Sequence, residues 1–247
     1  MISTVILTKN EENTLAACIE SVSFSSEVLV IDNGSTDQTI EIAKQRGAHV
    51  IEMSETGDFS ELRKRGLTEA KNNWVLFIDA DERVPDELKN EILLKTQNDT
   101  YASYYIKRRD HWWGRTLRFG EVRSAYVKGF IRLAQKESGH WSGAVHEVFQ
   151  TNKKTGTLDG YLEHYPHPSL KKFISDINDY SSRRAGELFS QGKTSSIAEI
   201  ICVPPIKFFY TYFFQWGFLD GVSGFVYSFL MSFHSFLVRS KLYIMKS

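Results

Sequence analysis

Cysteine is scarce in this sequence, and neither sign of charge is in excess. The two cysteines, Cys18 and Cys202, are too few and too far apart for a disulfide framework or a cysteine-based metal site. Lysine plus arginine and aspartate plus glutamate number 30 each, which argues against both a basic nucleic-acid binder and an acidic tail. We therefore expect core cysteines in a reducing compartment and no nucleic-acid partner.

The beginning of the chain also lacks the features of a secretory signal. The apolar run Val5-Ile6-Leu7 is short, has no basic residue before it, and is followed at once by Lys9 and the acidic pair Glu11-Glu12. Its 247 residues, 42% of them apolar, suffice for one large domain or a domain with an appendage. We expect a cytoplasmic protein with a full hydrophobic core.

Residues 1 to about 100 alternate short apolar strands with amphipathic helices, which is typical of a parallel sheet with crossover helices. Asn13 and Asp58 are predicted N-caps, Gly47 is a predicted helix stop, and a further helix is predicted to begin at Pro85. Polar residues follow three strands, whose carboxyl ends should meet in one pocket. The predicted elements are Ser3–Leu7, Asn13–Ser21, Glu27–Ile31, Gln38–Arg46, His49–Glu52, Phe59–Lys71 and Trp74–Ile78.

From residue 101 to about 165 the pattern changes to strands joined by long polar connections, which indicates an inserted or mixed-sheet acceptor half. A long helix with a polar and an apolar face is predicted next, over Ser169–Gln191, with Gly192 as its stop. The strands predicted in this region are Tyr104–Arg108, Gly129–Leu133 and Ala144–Phe149.

The last part of the chain is rich in aromatic residues. Between Phe208 and Tyr243 lie 14 of the 33 aromatic residues, and from Phe208 to Val238 the only formally charged side chain is Asp220. We interpret this segment as a helical pair in the interface of a membrane, with Arg239, Lys241 and Lys246 facing lipid headgroups. A buried hydrophobic helix or a dimer face is the alternative, so a homo-oligomer stays open.

Two acidic motifs follow predicted strands. Asp79-Ala80-Asp81 comes after Trp74–Ile78, and in an extended chain its two carboxylates would share one face, about 7 Å apart. Mg²⁺ and Mn²⁺ prefer such oxygen ligands together with phosphates and water. Asp32, at the end of the second strand, matches the acidic residue that contacts a nucleoside in α/β folds. A solvated acidic loop and a turn are the respective alternatives.

Several motifs occur in order along the chain. They are Thr8-Lys9-Asn10-Glu11, Val30 to Asp37, Phe59-Ser60-x-x-Arg63 and Trp74 to Glu82, followed by Arg132-Leu133, Trp141-x-Gly143-x-Val145-His146-Glu147, His164-Tyr165 and Gly217 to Gly221. The first four resemble the family-2 inverting glycosyltransferases, and the later four resemble the subgroup that contains the lipopolysaccharide core β-glucosyltransferases. One departure is that Leu62 and Lys64 stand where this subgroup often has Gln and Asn.

The resemblance implies a GT-A-type α/β fold, in which a nucleotide-binding mixed sheet is flanked by helices and followed by an aromatic-rich, membrane-associating helical segment. Residues 1–100 would form the donor-binding half and 101–192 the acceptor and catalytic half of the same domain. Residues 193–247 would form the C-terminal helical segment. The protein would lie peripherally on the inner face of the cytoplasmic membrane.

The implied reaction moves a sugar from a nucleoside-diphosphate donor, expected to be a UDP-sugar, to a hydroxyl of a lipid-linked or lipopolysaccharide-core saccharide. An inverting transfer of this kind is a single displacement that needs one base, while Mg²⁺ or Mn²⁺ neutralises the leaving diphosphate. Glu147 is the candidate base, with His146 beside it as an orienter or acceptor contact. Its alternative role is an ion pair with an arginine such as Arg132 or Arg123.

The remaining implied roles belong to the donor. Asp81 is expected to bind the metal directly, and Asp79 to bind it or to contact the ribose or a metal-bound water. Thr8, Glu11 and Asp32 are expected at the nucleoside. Arg63 is expected to contact the pyrophosphate or a loop, the alternative being a solvated helix residue.

Three other functions stay open. A polyprenyl-phosphate sugar synthase would use an acceptor that is already an anion and needs no base. A sugar nucleotidyltransferase shares the nucleotide-binding half, and a scaffold would bind nucleotide sugar or membrane without turnover. A zinc enzyme is disfavoured, because the spacings of His140, His146, His164 and His167 fit no common zinc pattern.

Overall fold

The computed structural model describes residues 1–98, 100–143 and 147–246. The chain divides into two compact units. The first consists of Met1–Arg109 with Val127–His164, and the second of Asp110–Tyr126 with the chain from Tyr165 onward. The boundaries of these units differ from those of the predicted segments 1–100, 101–192 and 193–247. The functional roles of those segments stay predictions.

Strands and helices alternate through the first hundred residues, as expected. The elements there are β1 (Ile2–Thr8), α1 (Leu15–Ser21), β2 (Glu27–Asp32), α2 (Thr39–Gln45), β3 (His49–Glu52), α3 (Phe59–Glu69), β4 (Trp74–Asp79), β5 (Glu82–Arg83) and α4 (Asp86–Lys95). The later elements are β6 (Ser103–Trp112), β7 (Arg115–Leu117), α5 (Arg123–Val127), β8 (Phe130–Gln135), β9 (His140–Ser142), β10 (Val148–Gln150), β11 (Thr155–His164), α6 (Leu170–Ser190), α7 (Ile197–Phe209) and α8 (Gly221–Lys246).

Local capping explains several helix ends. Asp58 caps α3 as predicted, because its carboxylate accepts the backbone N–H groups of Ser60 and Glu61. Gly47 follows α2 with φ +75°, a conformation that glycine adopts without strain. The prediction of Asn13 as the cap of α1 is wrong. Thr14 holds that position, because a tight turn on the Glu11 carbonyl starts the helix one residue later.

The sheet of the first unit is mixed. Its strands lie in the order β3-β2-β1-β4-β8-β6-β11-β5 over the described residues. The four strands β3, β2, β1 and β4 are parallel, and β8 pairs antiparallel with both β4 and β6. The register places Thr8 beside Asp32 and Leu7 beside Asp79. The polar ends of three strands therefore meet at one edge, as expected.

Apolar residues cover both faces of this sheet, which is usual where parallel strands are buried between helices. In β4, Val75 and Phe77 belong to the apolar cluster on one face, and Leu76 and Ile78 to the cluster on the other. A separate two-stranded pair joins β9 and β10. Of the predicted strand Ala144–Phe149, residues 144–146 lie outside the described residues, and its end lies in β10.

The second unit is mainly helical around a core that includes Trp112, Phe173, Ile177 and Leu230. Its long helix α6 lies where predicted. Ser169 accepts the backbone N–H of Lys172 as the N-cap, and Gly192 follows the helix with φ +73°.

A break separates α7 from α8. It contains a π-helical turn over Tyr210–Phe214 and a 3₁₀ turn over Gly217–Asp220. Asp220 is buried there and accepts the backbone N–H groups of Arg118 and Phe119. The carboxylate of the single acidic residue in the aromatic segment is therefore hydrogen-bonded inside the protein.

Lys241 does not face headgroups as predicted. Its ammonium donates hydrogen bonds of 2.7–2.8 Å to Asn178, Ser181 and Ser182 of α6, because their oxygens line the side of α6 that packs against α8.

Helix α8 differs from a helix of a water-soluble protein, whose large apolar residues are buried. Its buried side carries mainly small residues, and the hydroxyl of Ser232 donates to the Pro204 carbonyl of α7 at 2.5 Å. Its exposed side carries large apolar residues at helical spacing. The small buried residues are Ser223, Gly224, Ser228, Ser232 and Ser235, and the exposed apolar ones include Val222, Phe225, Phe229, Phe233 and Phe236.

Two helical segments of the described chain, Ile197–Phe214 and Gly217–Lys246, are long and apolar enough to cross a membrane by length and composition. Only 11% and 39% of their most apolar windows are buried. A core helix would be mostly buried, so the chain leaves most of this apolar surface uncovered.

Candidate active site

Asp79 stands at the end of β4 between two arginines. Its Oδ1 accepts a hydrogen bond from Arg63 Nη2 at 2.8 Å, and its Oδ2 accepts one from Arg132 Nη2, also at 2.8 Å. Burial raises the pKa of Asp79, but the charges of Arg132 and Arg63 outweigh it and hold the pKa well below its ordinary value. Asp79 is therefore a carboxylate with both oxygens engaged.

Arg63 connects Asp79 to Glu147. Its Nε donates to Glu147 Oε1 at 2.7 Å, and only 2% of the Arg63 side chain is exposed. Arg63 is thus not a solvated helix residue. The ion pair considered as the alternative role of Glu147 exists, with Arg63 as the partner.

The sequence reasoning missed two groups that hold Asp79 in place. Arg132, which reaches Asp79 from β8, had been considered only as a partner for Glu147. Glu82 is fully buried, and its Oε2 accepts the backbone N–H of Asp79 at 2.9 Å. Its Oε1 lies 3.5 Å from Arg108 and 3.6 Å from Arg132. The signal was present in the motifs, since Glu82 directly follows Asp81 and Arg132 begins Arg132-Leu133.

Asp81 lies beside His164, the last residue of β11. His164 Nε2 and Asp81 Oδ2 are 3.1 Å apart, and the two side chains are 12% and 25% exposed. Burial raises the pKa of Asp81, but His164 outweighs this effect, so the pKa lies below its ordinary value. The sequence indicated His164 through the resemblance and in a zinc site that the spacing disfavoured, but not as a partner of Asp81.

A carboxylate oxygen and an imidazole nitrogen are both ligands that Mn²⁺ accepts. Asp81 and His164 fit a divalent metal in this respect, whereas both oxygens of Asp79 are engaged by arginines. Within the described chain, no three His, Cys, Asp or Glu side chains are grouped to hold a metal. The described residues therefore supply only part of a coordination shell, which a phosphate group and water could complete.

The residues predicted at the nucleoside line the same sheet edge. Thr8 is buried, and its hydroxyl has no hydrogen-bond partner among the described residues. Glu11 accepts the Thr14 hydroxyl at 2.5 Å. Asp32 accepts the backbone N–H groups of Gly34 and Ser35 at 3.0 and 2.9 Å, so it also forms the turn considered as its alternative. His146 lies outside the described residues.

Sequence comparison decides the family. A family model described as "Glycosyl transferase family 2" matches residues 3–155. The chain belongs to this family. It is 34% identical to an uncharacterised glycosyltransferase of Rickettsia typhi, over 98% of this chain and 86% of that protein. It is 28% identical to the lipopolysaccharide core biosynthesis glycosyltransferase LpsC of Rhizobium meliloti, over 98% and 92% of the two chains.

Solved structures agree on the fold. TarS 1–349 of S. aureus, solved in complex with UDP-GlcNAc, has a TM-score of 0.53 at 14% identity, with 95% of this chain and 81% of that one covered. Glucosyl-3-phosphoglycerate synthase of Mycobacterium tuberculosis, solved with Mn²⁺ and UDP, has a TM-score of 0.51 at 19% identity, with 79% and 81% covered. This likeness confirms the expected GT-A-type fold, and the family match confirms the expected glycosyltransferase class. This family 2 member is a nucleotide-sugar glycosyltransferase.

Proposed function

We propose that this family 2 glycosyltransferase is an inverting, metal-dependent enzyme that transfers a sugar from a UDP-sugar to a hydroxyl of a lipid-linked or lipopolysaccharide-core saccharide. One observation carries the proposal. Arg63 binds both Asp79 and Glu147, and Asp81, two residues after Asp79, pairs with His164. The similarity to LpsC supports the choice of acceptor, and the UDP ligands of the two structural relatives support the choice of donor.

At the donor end, Asp81 and His164 would hold Mg²⁺ or Mn²⁺. A bound divalent metal would supply positive charge that stabilises the departing diphosphate. Both oxygens of Asp79 already accept hydrogen bonds from arginines, so Asp79 would contact the ribose or a metal-bound water and not the metal itself. Arg63 has one nitrogen left, Nη1, which is buried without a hydrogen-bond partner in the described chain and would suit a phosphate oxygen.

Thr8, Glu11 and Asp32 would hold the nucleoside. The buried, unpartnered hydroxyl of Thr8 supports this role, because an unsatisfied buried polar group is costly unless a ligand pairs with it. The position of Asp32 opposite Thr8 across β1 and β2 supports a shared contact.

At the acceptor end, Glu147 would take the proton of the attacking hydroxyl. The acceptor oxygen forms a bond to the anomeric carbon as the bond from that carbon to the diphosphate oxygen breaks, and the diphosphate leaves with the electron pair. One carboxylate suffices, because the diphosphate needs no protonation to leave. His146 would orient the acceptor or the base.

The proposal includes a position on the inner face of the cytoplasmic membrane. The exposed phenylalanines and buried serines of α8 support it, because helices in lipid place small residues between helices and leave large apolar ones outside. Arg239 and Lys246 are cationic and lie near the C-terminal end of α8, which contains no Asp or Glu, so anionic headgroups are the matching partner.

A thermal-shift screen tests the donor site. UDP-, GDP-, ADP- and CMP-sugars are compared with and without Mn²⁺, since a ligand that binds only the native state raises the melting temperature. We expect a Mn²⁺-dependent shift with a UDP-sugar. Asp81→Ala should lose it, while Asp86→Ala, a change at a carboxylate that is 90% exposed on α4, should keep it. A wild-type protein that no nucleotide sugar stabilises would refute the proposal.

Product analysis separates the related reactions. We expect release of UDP with inversion at the anomeric carbon. Release of pyrophosphate from a sugar phosphate and a nucleoside triphosphate would instead identify a nucleotidyltransferase. Full turnover of Glu147→Gln on a polyprenyl phosphate would identify a synthase that needs no base.

A further inference from the structure

Arg63 is held rigidly by groups other than carboxylates. It lies in the middle of α3, whose start is capped by Asp58, and its guanidinium stacks over the Trp141 ring at 4.8 Å. Trp141 in turn packs edge-on against Phe77 and Phe149, with ring centroids 5.0 and 5.5 Å away. The guanidinium is therefore a fixed point in the core of the first unit.

One guanidinium binds two carboxylates from different parts of the chain. Nη2 binds Asp79 at the end of β4, and Nε binds Glu147, just before β10. Asp79 is held from its other side by Arg132 and through its backbone by Glu82. Glu147 lies outside the regular strands, and among the described residues only its Oε1 is bound, by Arg63.

We propose that Arg63 is the positioning residue of the acceptor base, tying Glu147 to the donor-end carboxylate Asp79. With Oε1 on Arg63, Oε2 is left for the acceptor hydroxyl. A displacement of about 1 Å in a reacting group can cost about 100-fold in rate, so a base on a connecting segment needs such an anchor. This inference rests on the proposed function and adds a fixed spacing between donor and base.

A purely structural ion pair makes a different prediction. Buried pairs contribute little net stability, and breaking one destabilises the fold. Such a role would change the melting temperature but not the turnover of the molecules that remain folded. The donor contact proposed above for Arg63 Nη1 would change KM for the donor in either background of Glu147. A positioning role lowers kcat and does so only through Glu147.

The test is a double-mutant cycle on the full chain. The variants are Arg63→Lys, Glu147→Gln and their combination, with Arg65→Lys as the matched control. Arg65 is on the same helix, is 52% exposed and pairs with Glu69. UDP-glucose and UDP-N-acetylglucosamine with Mn²⁺ are the donors, water is the acceptor, and UDP release gives kcat and KM. Melting curves identify a temperature at which all variants are folded.

We expect Arg63→Lys to lower kcat about 100-fold, because one ammonium cannot replace two separate guanidinium nitrogens. In the Glu147→Gln background the same change should cost less than about 3-fold, since residues that act as a unit are not additive. Equal losses in both backgrounds, or a loss confined to KM, would overturn the inference. A wild-type protein that releases no UDP would instead sink the proposed function, and the inference with it.

A second variant covers a failure of Arg63→Lys to fold. Trp141→Phe retains the arginine and both carboxylates but removes part of the ring on which the guanidinium stacks. We expect a drop of about 10-fold in kcat, absent in the Glu147→Gln background. An unchanged kcat would contradict the positioning role.

Discussion

Replacing Phe225 and Phe229 by serine should release the protein from lipid vesicles. These two residues are 46% and 55% exposed on the outer side of α8. A phenylalanine has roughly 200 Å² of surface, so the pair leaves about 200 Å² uncovered. At about 25 cal/mol per Å², lipid burial of that area contributes about 5 kcal/mol. Serine keeps some area, so about 4 kcal/mol should be lost, which weakens binding about 1,000-fold.

Co-sedimentation with vesicles of phosphatidylcholine and phosphatidylglycerol measures this binding. Leu94→Ser is the matched control, because Leu94 is 58% exposed but lies on α4 of the first unit. We expect the control to sediment like the wild type and the double variant to stay in solution. The assignment of this face to lipid would be refuted if the double variant sedimented as much as the wild type, or if the wild type did not sediment with the vesicles.

Two further predictions concern stability. Gly66→Ala should destabilise the fold by about 1–3 kcal/mol, because an added Cβ would lie 2.3 Å from Val5 Cγ1, whereas Gly186→Ala, with no atom within 4 Å, should stabilise α6 by about 0.5–1 kcal/mol. Thermal melts showing the opposite order would contradict this packing. Burial raises the pKa of Asp176, but hydrogen bonds from His167 and a neighbouring lysine outweigh it and lower the pKa. The ionised Asp176 therefore stabilises the fold at pH values above its unfolded pKa of about 4, and this stabilisation is lost as the pH falls through the lower folded pKa. Thermal melts at falling pH should show this loss of stability in the wild type and not in Asp176→Asn.

The elements of the first hundred residues were predictable because their signals are local. A short apolar run with polar residues at its end specifies a buried strand such as β4 without reference to the rest of the chain. Asp58 and Gly47 mark helix ends through hydrogen bonds and backbone conformations that involve only nearby residues. The same holds for Ser169 and Gly192 around α6.

The partners of the carboxylates were not predictable in this way. Arg132 meets Asp79 across 53 residues of chain, and His164 meets Asp81 across 83. Both contacts depend on which strands are neighbours in the sheet. Strand β8 lies next to β4 although three strands separate them in the sequence. The pattern of apolar residues within a strand does not indicate which other strand will pair with it. The motifs located the carboxylates, and only the sheet order shows what binds them.

The two arginines on Asp79 mean that residues 1–100, the half proposed to bind the donor, do not form an independent structural unit. One comes from α3 and the other from β8, on opposite sides of residue 100. A fragment that ends at residue 100 would leave Asp79 Oδ2 without the arginine that binds it in the full chain. Exchange of donor halves between relatives would therefore have to carry β8 along, so donor preference and acceptor machinery would be inherited together.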